Sequence, residues 1–213
     1  MNRGYFYKEI QPDAIVGGCI NIFENAWPNY KETIKNIEQV CKDPDSGVHW
    51  QRATVIAEDN VSGKIDQART NFDLGITQQL GMNNHEALVD THNQFFILIN
   101  RAVNGYCNRH GISEPYWHEP YNLLKYSTGQ EYKPHYDGNT VSHRHISCIV
   151  YLNDDYEGGE LEFPNFNVKV KPEAGMMIVF PSNYAYTHIA KPVTNGTKYA
   201  LVTWLHDCPP ESL

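Results

Sequence analysis

Within the stretch KPHYDGN, His135 and Asp137 are separated by a single residue. Side chains two apart on an extended strand project from the same face, so an imidazole and a carboxylate at this spacing can converge on one metal ion. The pair alone is weakly specific. Ten histidines in a chain with many aspartates produce it by accident, and a surface histidine beside a turn aspartate is the simpler reading. A third donor, His188, stands in SNYAYTHIAKPV, a later β-type segment that a folded sheet can return beside the first pair. Two neutral imidazoles and one carboxylate leave three coordination positions open, a donor set that suits non-haem iron(II).

Ten residues beyond His188 comes Lys198, inside the strand-like run TKYALVTWL, where Tyr199, Leu201 and Trp204 read as core. A lysine in that setting either snorkels from an edge or answers a buried anion. His143 and His145 flank Arg144, but their alternation fits one edge face and no carboxylate partner is evident, so neither is given a role.

These residues must be positioned by a scaffold, and the chain divides in texture. From Pro28 to Cys41, Ile34, Ile37, Val40 and Cys41 recur at helical spacing and predict an amphipathic helix. A second helix is expected from Asn84 to about Arg109, with Leu88, Thr91, Phe95, Leu98, Ala102 and Tyr106 on one face. Gly111 would stop it, and Asn83 with Glu86 would cap it. Residues 51–79 between them show no clear period and read as a long loop. After Pro115 come short β-rich runs, among them YNLLKY, HISCIVYL, MMIVF and KYALVTWL, separated by turn clusters such as DGN and PEAG. About eight such strands suit a jelly roll. The expected fold is therefore mainly β with flanking α-helices around a double-stranded β-helix.

A length of 213 residues fits a single domain. In it, residues 1–115 would give helical and loop support and 116–208 the jelly-roll core. Seventeen basic against 25 acidic side chains leave a net charge of −8, which disfavours nucleic acid as a partner. The five cysteines form no CxxC pair, the N-terminal stretch lacks the apolar run of a signal peptide, and nowhere do eighteen apolar residues run together. A soluble protein in a reducing cytoplasm, without membrane association, is the expectation; oligomeric state is left open.

The ordered motifs from Tyr121 to Asp207 resemble the core of the prolyl 4-hydroxylase family of Fe(II)/2-oxoglutarate-dependent oxygenases. YSTGQEYKPHYD is similar to the family's tyrosine, glycine and HxD strand, and RHISCIVYLNDDYEGGELEF to its arginine, YLN-like strand and GGE turn. GMMIVFPSNYAYTHIAKPVTNGTKYALVTW is similar to its glycine, apolar strand, distal histidine, PV, glycine, basic residue and tryptophan. DQARTN resembles an Arg-Thr-Ser element that follows the mobile substrate loop, with Asn71 in place of serine. Met176 and Met177 stand where many relatives carry an acidic or small polar residue, and the secretory features of animal collagen hydroxylases are lacking.

The resemblance implies iron(II) at His135, Asp137 and His188, and Lys198 paired with the distal carboxylate of 2-oxoglutarate. Tyr126 and Tyr151 would serve as hydroxyl donors to that carboxylate. Arg144 and Tyr132 would lie along the substrate, Trp204 beneath the metal, and 51–79 would act as a lid. It further implies hydroxylation of a peptidyl proline coupled to decarboxylation of 2-oxoglutarate to succinate and CO2, with ascorbate as a candidate reductant. The alternatives are the same cofactors acting on a free amino acid or other small substrate, and a jelly-roll binding module without catalysis.

Overall fold

The structure, a computed structural model, describes residues 7–56, 63–82, 85–112, 117–138 and 143–207. Its first part comprises strands β1 (Ala14–Val16) and β2 (Ile20–Phe23), helix α1 (Tyr30–Lys42), and strands β3 (Gln51–Arg52), β4 (Val55–Ile56), β5 (Gly63–Lys64) and β6 (Phe72–Gly75). Helices α2 (Ile76–Met82) and α3 (Glu86–His110) complete it. Its second part runs through β7 (Trp117–His118), β8 (Asn122–Ser127), β9 (Tyr132–His135), β10 (Ile146–Tyr151), β11 (Glu157–Gly158), β12 (Leu161–Phe163) and β13 (Val168–Val170). It closes with β14 (Met177–Pro181), β15 (His188–Ala190), β16 (Val193–Asn195) and β17 (Thr197–His206).

Two antiparallel sheets face each other. The larger has the order β1-β2-β14-β10-β17-β8-β6-β3, with β7 also on β17, and the smaller has the order β13-β12-β15-β9. Eight of these strands, β8, β9, β10, β12, β13, β14, β15 and β17, form the expected jelly roll. Strand alternation sorts their side chains. Met177 and Val179 of β14 join Leu201 and Leu205 of β17 in a cluster under α3, where Phe95, Ile99, Ala102 and Tyr106 meet them. Ile178 and Phe180 point the other way, onto Leu161 and Phe163 of the smaller sheet.

Both long helices occur where the periodicity places them, and Gly111 ends α3 in the left-handed region at φ 65°. His85 occupies the N-cap of α3 without a side-chain cap bond; Asn83, expected there, lies outside the described residues. The reading of 51–79 as loop is corrected: it contains β3 to β6 and the start of α2, and β3 and β6 extend the larger sheet beyond β8. Strands of two to four residues are too short to display a period, and only pairing defines them: β6 on Asn122 to Lys125 of β8, β3 on β6, and β4 with β5. The first 115 residues therefore supply four strands of the sheet as well as helices.

Candidate metal and co-substrate site

The smaller sheet sets the two histidines opposite one another, since His188 of β15 is the register partner of His135 of β9. β9 ends at His135, so Asp137 sits in the bend beyond it. There the N–H groups of Asp137 and Gly138 both donate to the Ser182 carbonyl, at 3.1 and 2.7 Å, tying the bend to the end of β14. This anchorage does what a regular strand alone would not.

His135 Nε2 lies 3.7 Å from Asp137 Oδ1, and His188 Nε2 lies 3.7 Å from Asp137 Oδ2. Both distances exceed a hydrogen bond. All candidate ligand atoms of the triad lie within 4.8 Å of one another. His135 Nδ1 meets the Lys133 carbonyl at 2.7 Å and His188 Nδ1 the Tyr186 carbonyl at 3.1 Å. A carbonyl only accepts, so in both rings Nδ1 carries the proton and Nε2 presents its lone pair inward, the tautomer a metal ligand requires.

Burial, followed by the neighbouring His188, pushes the His135 pKa down to about 3 and keeps the ring neutral. Burial would raise Asp137, yet His188, His135 and the Ser147 hydroxyl together hold its carboxyl down to about 2. Ser147 Oγ donates to Asp137 Oδ2 at 2.6 Å and in turn contacts Ser182 Oγ at 2.7 Å. The donors thus fit a divalent ion of iron(II) type: two imidazole nitrogens turned inward and one carboxylate held by the Ser147 hydroxyl. The Tyr132 ring stacks on His135 at 3.4 Å and 13°, and Phe180 packs edge-on against His188 at 5.0 Å.

From this triad a cavity of about 470 Å³ runs inward to Lys198. Lys198 is 2% exposed and donates to the Gly159 carbonyl at 2.6 Å. Its Nζ lies 5.3 Å from the centre of the Tyr126 ring and 5.1 Å from that of Tyr151. Tyr126 is its direct register partner on β8. Burial lowers the Lys198 pKa to about 7, and among the described residues it forms no ion pair. A buried ammonium with one carbonyl partner is a receptor for a small carboxylate. Gly159 makes room for it: at φ 68° a Cβ there would stand 3.2 Å from Lys198 Cδ and 2.8 Å from the Tyr156 ring.

The outer wall differs in part from expectation. Arg144 lines the cavity, but its guanidinium forms a two-point pair with Glu119, 2.7 Å at each contact, and lies 3.7 Å from the centre of the Trp204 ring. Glu119 also meets His206 Nε2 at 2.6 Å. Trp204 therefore supports Arg144. His145, expected to lack a carboxylate partner, lies 3.6 Å from Asp207.

The Arg-Thr-Asn element runs beside β9: Thr70 N–H donates to Glu131 O and Lys133 N–H to Ala68 O, while the Arg69 guanidinium lies 5.2 Å from the centre of the Tyr132 ring. Glu119, Ser147, Ser182 and Arg69 are the site residues that spacing did not reveal. Only the DQARTN resemblance pointed towards Arg69.

Residues 121–206 match the family described as the 2OG-Fe(II) oxygenase superfamily. That stretch, which runs from the start of β8 to the end of β17, is what the chain shares with that family. That family implies iron(II) and 2-oxoglutarate, which the triad and the lysine cavity fit.

Among curated relatives, a probable prolyl 4-hydroxylase 9 of Arabidopsis thaliana is 33% identical over 118 residues, 42% of this chain and 41% of that protein. Prolyl 3-hydroxylase 2 of Homo sapiens is 39% identical over 66 residues, 29% of this chain and 9% of that protein. The chain thus spans less than half the length of the curated relatives it matches.

Among solved structures, a Trichoplax adhaerens prolyl hydroxylase in complex with a hypoxia inducible factor oxygen degradation domain peptide fragment superposes with a TM-score of 0.68. It is 23% identical, over 90% of this chain and 84% of that one. A viral collagen prolyl hydroxylase from Paramecium Bursaria Chlorella virus-1 gives 0.56 at 19% identity, over 89% and 96%. At these identities the likeness shows the jelly-roll fold alone.

Proposed function

We propose that this 2OG-Fe(II) oxygenase core hydroxylates a prolyl residue within a peptide or protein, releasing succinate and CO2 from 2-oxoglutarate. The observation that carries the reading is one cavity joining the His135, Asp137 and His188 triad to the buried, carboxylate-free ammonium of Lys198. The prolyl hydroxylases among its relatives support the substrate class. Because both prolyl 4- and prolyl 3-hydroxylases are among them, the carbon oxidised is left open.

Iron(II) with 2-oxoglutarate supplies, when bound, the oxidation of an unactivated C–H bond. His135 and His188 would hold the ion through Nε2 and Asp137 through its carboxylate, which Ser147 keeps oriented. Lys198 would bind the distal carboxylate, with Tyr126 and Tyr151 walling that end and offering their hydroxyls. Tyr132 and Arg144 would line the path of the peptide, with 51–79 closing over it; Thr54, Val55 and Arg69 of that segment already face the cavity. We further read residues 1–213 as one working domain, ascorbate as the reductant and the cytoplasm as the compartment, in keeping with the four free cysteines among the described residues.

The test is anaerobic titration with iron(II) and 2-oxoglutarate, followed by oxygen and a panel of proline-containing peptides. A weak visible charge-transfer band and peptide-dependent succinate release are expected. Succinate release driven equally by free amino acids would reject the peptide reading, and loss of the band would reject the site.

A further inference from the structure

Away from the iron site, a thiol, an imidazole and an amide meet where the β1–β2 hairpin packs on the last turn of α3. Cys19 Sγ lies 3.6 Å from His110 Nδ1, and His110 Nε2 lies 3.3 Å from Asn21 Oδ1. Cys19 closes the turn between β1 and β2 and Asn21 follows in β2, and His110 meets both side chains. The turn is clamped to the helix by Tyr106, whose hydroxyl donates to the Cys19 carbonyl at 3.2 Å and whose ring lies 4.6 Å from that of His110.

An amide oxygen can only accept, so Nε2 of His110 carries the ring proton and Nδ1 turns its lone pair to the thiol. Burial, and then Arg109, lower the pKa of His110 and keep it neutral, able to take that proton. Asn21 is fully buried, yet its Nδ2 has no hydrogen-bond partner among the described residues. Such a spare donor in a dry setting is unusual unless a ligand atom is meant to meet it. The other described cysteines differ: Cys107 and Cys148 are buried, and burial, aided by Glu38, pushes the half-buried Cys41 up to about 11.

We infer that Cys19 is a nucleophilic thiol, activated by His110 and oriented through Asn21, that reacts with hydroperoxides to form a sulfenic acid. His110 Nδ1 takes the thiol proton, and the sulfur attacks one peroxide oxygen. The S–O bond forms as the O–O bond breaks, and the departing oxygen takes the proton from His110. Sulfur is oxidised and the peroxide is reduced, hydrogen peroxide leaving as water. A neutral imidazole that accepts the proton in place speeds such a step without a permanently charged thiolate. The partial exposure of Cys19 admits a small peroxide.

The full chain, stripped of metal, would be exposed to equimolar hydrogen peroxide, trapped with dimedone and mapped by peptide mass spectrometry. Cys19 is expected to label about tenfold faster than Cys41, His110→Gln to bring it down to the rate of Cys41, and Cys19→Ser to abolish that label. Labelling of Cys19 no faster than Cys41 in the wild-type protein would overturn the inference without any variant. So would an unchanged Cys19 rate in a His110→Gln protein whose circular dichroism matches wild type.

Discussion

The cavity has two unlike ends. At the closed end, Lys198, Tyr126 and Tyr151 stand on three adjacent strands of the larger sheet, β17, β8 and β10, and none is more than 3% exposed. Long registers hold them: β17 pairs over six residues with each of its neighbours there. At the open end, the wall comes from the four-residue strand β9, the short pieces of 51–79 and side chains such as Tyr136, which is 46% exposed. Its guanidinium groups already have carboxylate neighbours, Arg144 with Glu119 and Arg69 with Asp73. A buried cation with no anion cannot be satisfied by rearrangement, so the closed end selects one small acid. The open end offers aromatic faces and a pre-paired guanidinium, which on the proposed function would line the path of an extended chain.

Between the two ends the metal ligands serve both, and the largest effect is expected there. Asp137→Asn keeps the shape of the side chain and an acceptor for Ser147 but removes the charge. Turnover should fall roughly a thousandfold, with loss of the anaerobic charge-transfer band. A band retained at wild-type intensity would break the assignment for both ends at once.

Lys198→Met comes next and should act on the closed end alone. The KM for 2-oxoglutarate is expected to rise about a hundredfold, the size of a lost charged hydrogen-bond pair, with the peptide KM little changed. The ligand-free variant should be more stable than wild type, because a buried unpaired charge has been replaced by an apolar chain. The pH dependence follows from the depressed pKa, about 7 folded against 10.5 ordinarily. Between these values the unfolded chain keeps its proton while the folded lysine has released it, so on this account stability rises as pH increases from about 7. Below that range both states are charged and the penalty is constant. Urea midpoints at pH 7 and pH 9 should show this rise in wild type and its loss in Lys198→Met, since all other titrating groups are common to both proteins.

How legible the two ends were in the sequence follows the same division. The closed end lies on strands of six and ten residues that read as plain apolar runs, and a lysine among core residues left two readings, an edge position or a partner for a buried anion. The helices α1 and α3 were equally plain, because thirteen and twenty-five residues display several periods. The open end was poorly visible. β3, β4 and β5 are two residues each and carry no pattern, and Glu119 gains its meaning only from Arg144, 25 positions away. Ser147 reads as an ordinary strand serine until the fold sets Asp137 beside it.

Ser147 sharpens the comparison from the metal side. Ser147→Ala leaves Asp137 in place but removes the hydroxyl that donates to its Oδ2, and iron(II) affinity should drop about tenfold, within the usual range for a group that orients a ligand. Equilibrium titration with iron(II) or manganese(II) reads this directly, and 2-oxoglutarate affinity of the metal-saturated variant should match wild type.

The smallest effect is expected at the open end, from Glu119→Gln. The glutamine can still meet His206 and one guanidinium nitrogen, but the two-point carboxylate pair with Arg144 is lost. Both partners are about one-fifth exposed, so solvent screens much of the pair and the stability change should stay near ~1 kcal/mol. The kinetic effect should be selective: Arg144 loosens from its stack on Trp204, and the KM for a peptide substrate rises severalfold, a change of about 1 kcal/mol. The KM for 2-oxoglutarate should not move, because Lys198 and its tyrosine walls stand on other elements and, among the described residues, share no hydrogen bond with Glu119. A Glu119→Gln protein whose 2-oxoglutarate KM rose while its peptide KM stayed constant would show that the ends are one coupled site, and the division drawn from their burial would have to be abandoned.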